Sequence, residues 1–318
     1  MDYPRQLWLE KNLVRLVAVG GMIVAYLLLG PLLVMDEPLA PLTFLQDGLA
    51  RLGVFVLVLL GLAVVLGAVM LPVRPIAVLI TVLLVAGGMS LRSSRLESLL
   101  WYRGQDIPMV YLGLMGEVLL LWVLGLLAWG IILAVRRGVK RVRPGWVWSG
   151  HVPSVATDLP RGSSPKTAGK APGAGLSTAG GQRQPGASAA GAVAGYVVVA
   201  AVVALVGLVV LLQSDQRKQV AFALVVSLGA GSFVAHRSFG LRREWAAMLP
   251  PLLVALVLYG LAMAAEYPNG PLAWAYAPVP SRPLPVDWLT FGAGGALLGL
   301  WVSRRLIQEQ AVQEGQGT

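Results

Sequence analysis

Residues 108–135 read PMVYLGLMGEVLLLWVLGLLAWGIILAV, a run in which Glu117 is the one charged side chain. At about 1.5 Å per residue a helix of this length reaches roughly 42 Å, against roughly 30 Å of hydrocarbon in a bilayer. It can cross with a tilt or continue past the interface. Directly after it, Arg136, Arg137, Lys140, Arg141 and Arg143 precede Trp146 and Trp148. Basic residues next to tryptophans mark the cytoplasmic edge of a span, and such a group can rest on anionic lipid.

Working outward, further apolar runs lie at 16–35, 52–73 and 75–91 on one side, and at 192–212, 219–235, 245–265 and 288–303 on the other. Together they predict an all-α, polytopic transmembrane bundle of about eight spans in two sets of four. Residues 1–135 form the N-terminal membrane half, 192–306 the C-terminal half, and 307–318 a polar tail. The first run, Leu16 to Met35, is followed by Asp36, Glu37 and Pro38 rather than by a small-residue cleavage site, so it reads as a retained span. Residues 1–15 mix Arg5, Lys11 and Arg15 with Tyr3, Leu7 and Trp8, which suggests a short interfacial helix ahead of that span. The shortest run, 288–303, reaches only about 24 Å and is expected to thin the bilayer or to be re-entrant.

The composition agrees. Of the 318 residues 57% are apolar and 13% charged, whereas a soluble domain carries about 25% charge. A net charge of +10 invites a nucleic-acid reading, but that needs a basic, water-facing surface, and here the Lys and Arg residues gather at the ends of apolar runs. No nucleic-acid partner is expected. The chain has no cysteine and two histidines, His151 and His236, which excludes disulfides, thiolate chemistry and multi-histidine metal or haem sites. No cofactor is expected.

Orientation follows from the basic residues. With both termini in the cytoplasm, 18 of the 25 Lys and Arg fall in inner segments, as the positive-inside rule asks. Arg92, Arg95 and Arg103 sit on the other side. This places the chain in a plasma (inner) membrane as a multi-pass protein, with the lipid bilayer, anionic lipid at the cytoplasmic face and other membrane proteins as its expected partners. The segment 136–191 reads as a disordered cytoplasmic linker, because from Arg161 to Gly191 it is Gly-, Ala-, Ser- and Pro-rich with almost nothing large to bury. A shift of 144 positions lays 75–91 on 219–235, with Ala77 on Ala221, Leu84 on Leu228 and Gly87 on Gly231. The same shift lays 52–73 on 196–217, and the next helices correspond after a shorter loop; each copy thus stands three spans on from its counterpart, so the two triplets would be inverted, as in many transporters.

Chemistry has few carriers. A carboxylate as deep as Glu117 costs several kcal/mol unless it is protonated, paired or wetted, which makes it the candidate intramembrane proton or ion site; the plain alternative is interhelical glue. Thr81, Ser90, Ser227 and Ser232 have no base at an activating spacing. His236, beside Arg237 at the end of a run, reads as an interfacial anchor, as do Trp146, Trp148, Trp274 and Tyr276. The six prolines between Glu266 and Asp287 forbid regular helix throughout that loop. Gly292, Gly294, Gly295 and Gly299 give the spacing of close helix packing. The first functional reading is a small-solute or ion permease built on the inverted repeat; the second is a non-catalytic membrane scaffold or complex subunit. Enzymatic chemistry would need several convergent polar groups, and no catalytic set is visible.

Overall fold

The computed structural model describes residues 3–29, 43, 49–92, 96–102, 106–142, 189–241, 243–268 and 272–316. Among these residues every regular element is helical. In chain order they are α1 (Tyr3–Val24, running on into a π-helical turn, Ala25–Leu29), α2 (Leu49–Val69), α3 (Pro75–Ser90), α4 (Leu96–Tyr102), α5 (Ile107–Val142), α6 (Ala189–Leu211), α7 (Arg217–Phe239), α8 (Leu249–Ala264) and α9 (Ala293–Gln316). Among the described residues seven helical stretches are long and apolar enough to cross a membrane. The chain is a transmembrane helical bundle.

Local chemistry sets the helix ends. Proline occupies the first position of α3, where the missing N–H costs nothing and φ is already helical. Gly240 closes α7 with φ 58° and returns its N–H to the His236 carbonyl, a left-handed cap that a residue with a Cβ adopts only under strain.

Side-chain burial sorts the helices into layers. Only 17% of the α1 span and 22% of the α2 span is buried, whereas 89% of the 18 residues from Pro285 to Val302 is. The outer helices therefore present broad apolar faces to lipid, and α9, entered through Pro285–Asp287 and the π-helical turn Trp288–Gly292, is the enclosed one. It packs on α7 and α3, with the 3-10 turn Glu244–Met248 closing over it; α1 covers α3, α2 lies against α5 and α3, α5 against α8, and α6 against α7. Glycine makes the central approach possible: a Cβ on Gly295 would stand 2.7 Å from the Val225 Cα, and one on Gly299 would run into the Gly229 carbonyl.

Several expectations change. The first helix is continuous from Tyr3 to Val24 before its π turn, so no separate interfacial helix precedes the first span. Helix α5 runs to Val142 rather than ending at 135, and Arg136, expected to open the linker, is 4% exposed and donates to the carbonyls of Met70 (3.1 Å) and Leu71 (2.8 Å). The Met70 carbonyl also takes the Val73 N–H at 3.2 Å, and the buried guanidinium adds a donor to each of the two carbonyls where α2 ends. Residues 288–303 belong to a 26-residue stretch rather than a short one; the short apolar helix is α3, at 16 residues. The three helices matched by the 144-residue shift also pack differently, since α2 lies chiefly against α5 while its counterpart α6 lies chiefly against α7. The linker from 143 to 188, with Trp146 and Trp148, falls outside the described residues.

Candidate functional site

Helix α5 buries one stripe: Tyr111, Leu114, Val118, Leu121, Gly125 and Ile132 recur at three-, four- and seven-residue steps, the spacing of one helical face. Glu117 lies on it with no exposed surface. The Tyr111 end of the stripe faces α8, where the rings of Tyr111 and Tyr259 meet at 5.8 Å between centroids, tilted by 47°, while Gly125 and Ile132 turn to Leu289 and to α2. Two phenols deep in a bundle need acceptors, and the proline-rich loop provides them. Tyr259 donates to the Pro283 carbonyl at 2.5 Å. The Tyr111 hydroxyl is 3.0 Å from Ser281 Oγ, which in turn reaches the Pro278 carbonyl at 2.8 Å. A serine has one proton to give, so Ser281 donates to Pro278 and accepts from Tyr111. Arg282 holds the same loop in shape by donating to the Ala275 and Ala277 carbonyls.

Below this loop a buried ion pair ties three spans together. Arg217 grips Asp287 with both ends of its fork, Nη1 to Oδ2 and Nη2 to Oδ1, each at 2.6 Å, and Nη2 also reaches the Ser90 carbonyl at 2.8 Å. Asp287 is 1% exposed and also accepts the Leu284 N–H at 2.8 Å. Planar, two-point recognition is what arginine offers and lysine does not. The start of α7, the end of α3 and the entry to α9 are fixed to one point. Glu117 and Asp287 both stand within electrostatic reach of the Tyr259 hydroxyl, so the carboxyl group of Glu117 belongs to the same polar layer.

Loop, tyrosines and ion pair form one hydrogen-bonded layer, and Glu117 lines neither of two cavities in the molecule. One is an apolar groove of about 330 Å³ between α1, α3 and α7 with Lys218 at its rim. The other, about 410 Å³, lies at the opposite end, where Arg74, His236 and Arg304 meet. Among the described residues no group of three His, Asp or Glu could hold a metal.

The remaining sequence candidates fall as follows. His236, read as an interfacial anchor, is 5% exposed, with Nδ1 2.8 Å from Ser303 Oγ, because the last turn of α7 packs on α9. Tyr276 is 67% exposed in the 3-10 turn Ala273–Tyr276, which also carries Trp274 in its backbone. Thr81 and Ser90 donate back to Ala77 and Gly87 of their own helix, and Ser232 faces the Tyr196 hydroxyl. Arg217 and Asp287 are the pair that sequence reasoning passed over. Each ends an apolar run, where a charge ordinarily faces water, and 70 positions separate them.

Comparison with protein-family models, with curated proteins and with solved structures finds no match.

Proposed function

We propose that this chain is a multi-pass scaffold, a structural subunit of a plasma (inner) membrane complex, with both termini in the cytoplasm. The observation that carries the reading is the enclosed α9. Where a permease keeps a pathway between its halves, this bundle places a helix, packed against its neighbours at backbone distance, and the two cavities described above stand apart from the buried carboxyl group. The permease reading retains one observation in its favour, a fully buried glutamic acid inside a span.

Glu117→Gln separates the two. Gln keeps the shape of the carboxyl group and its capacity for hydrogen bonds, so the thermal midpoint should stay within about 2 °C of wild type. In liposomes loaded with a pH-sensitive dye, wild type and variant should leave an imposed proton gradient equally intact, and extraction in native lipid discs should yield a particle of fixed stoichiometry heavier than the 33.6 kDa chain. A proton flux present in wild type and lost in Glu117→Gln would replace the scaffold with a permease.

Orientation has its own test in a chain free of cysteine. Tyr276→Cys should react with an impermeant maleimide on intact cells, and Gln310→Cys only after permeabilisation, both positions being exposed. The reverse pattern overturns the topology.

A further inference from the structure

The cavity at the Arg304 end gathers chain turns from both membrane halves. Arg74 is the N-cap of α3, His236 stands in the last turn of α7, Glu244 opens the 3-10 turn that leads into α8, and Arg304 lies where α9 leaves its apolar stretch. Four apolar segments begin or end there, so the cavity lies where hydrocarbon gives way to water, on the side that the basic-residue count assigns to the cytoplasm. At about 410 Å³ it falls among sites for small ligands, which run from roughly 300 to 1,000 Å³.

Its walls are built rather than incidental. The Arg74 side chain is 11% exposed; its Nη2 donates to Gln308 Oε1 at 2.7 Å, and Nε stands 3.7 Å from Glu10 Oε2. Behind it Trp301 Nε1 is 3.4 Å from Glu10 Oε1. On the facing wall Arg304 donates through Nη1 to Glu244 at 2.6 Å and through Nη2 to the Leu241 carbonyl at 2.9 Å. Glu244 keeps 28% of its side chain exposed, and a carboxylate has about four acceptor positions. The cavity thus shows two guanidinium groups and one accessible carboxylate, with Glu10 balancing the second positive charge from behind. Leu241 and Ile307 add an apolar flank.

A site with two positive and two negative groups has no net pull on an anion; it favours a ligand that carries both signs. A phosphate between the arginines would gain charge-assisted hydrogen bonds and the positive end of α3, while an ammonium a few ångströms away would meet Glu244. We propose that this cavity binds a phosphate–ammonium zwitterion, the headgroup chemistry of phosphatidylethanolamine, with the phosphate between Arg74 and Arg304 and the ammonium on Glu244. The apolar flank then takes the glycerol end. The site is independent of the scaffold reading, since a permease with the same basin would bind the same ligand.

The test is native mass spectrometry of the purified full chain, with short-chain phosphatidylethanolamine, phosphatidylglycerol and free glycerophosphoethanolamine as probes. Wild type should hold phosphatidylethanolamine about tenfold more tightly than phosphatidylglycerol. Glu244→Gln should remove that preference by about tenfold, the worth of one charge-assisted hydrogen bond, and leave phosphatidylglycerol unchanged. Ile307→Trp, from a position 41% exposed, should fill the cavity and reduce both while the thermal midpoint holds. Competition by the free headgroup with the lipid identifies a membrane ligand read through its head; binding of the free headgroup without the lipid identifies a soluble zwitterion at the same site. Equal retention of both lipids by wild type, a preference untouched by Glu244→Gln, or binding untouched by Ile307→Trp overturns the proposal.

Discussion

Asp287→Asn should lower the thermal midpoint of the purified protein by roughly 10 °C. The exchange leaves Arg217 charged and buried against a neutral amide, and breaking such a pair from one side costs about 3–5 kcal/mol, at about 2–4 °C per kcal/mol for a larger domain. Three spans lean on the interaction, because the same guanidinium holds the Ser90 carbonyl and the same carboxylate holds the Leu284 N–H. The double substitution Arg217→Met with Asp287→Leu should recover most of the loss, since apolar replacement of both partners removes the stranded charge. Glu309→Gln is the control: its pair with Arg305 sits at 2.8 Å but is 43% exposed on the Glu309 side, and exposed pairs one turn apart contribute about 0.3–0.5 kcal/mol. A midpoint unchanged by Asp287→Asn would reduce the pair to decoration.

Gly299→Leu should do more, and prevent recovery of folded protein. A Cβ at this position meets the Gly229 backbone, which cannot swing aside as a flexible side chain can, so α7 and α9 must separate along their whole contact. Gly299→Ala tests the same contact gently, at a cost of about 1–3 kcal/mol for overpacking. Gly61→Leu, on an exposed face of α2 with nothing within 4 Å of the added carbon, should leave a monodisperse peak in size-exclusion chromatography. A folded Gly299→Leu variant would mean that the two helices meet elsewhere.

Topology was legible because the signals are one-dimensional. The apolar runs, the proline-filled loop and the glycines of α9 each state a physical demand that needs no partner, and the helices stand where the runs are. Glu117 was legible for the same reason, as a charge where lipid should be. What the sequence conceals is pairing at the ends of runs. Arg217, Asp287, Arg74, Glu10 and Arg136 all occupy positions where solvent is the ordinary neighbour, and only the fold brings them to one another. His236 shows the converse, since a helix that continues one turn further than its apolar run turns its ring onto Ser303.

The order of the chain gives the enclosed helix a temporal meaning. Helix α9 follows all the helices that surround it, so during synthesis those helices enter the bilayer around a vacancy shaped for a segment that the ribosome has not yet made. Until Pro285 to Trp301 arrives, the glycine-lined faces of α7 and the buried face of α3 are open to lipid or to foreign helices. Closure of the bundle therefore waits for α9, and its insertion converts a loose set of spans into a packed one in one step.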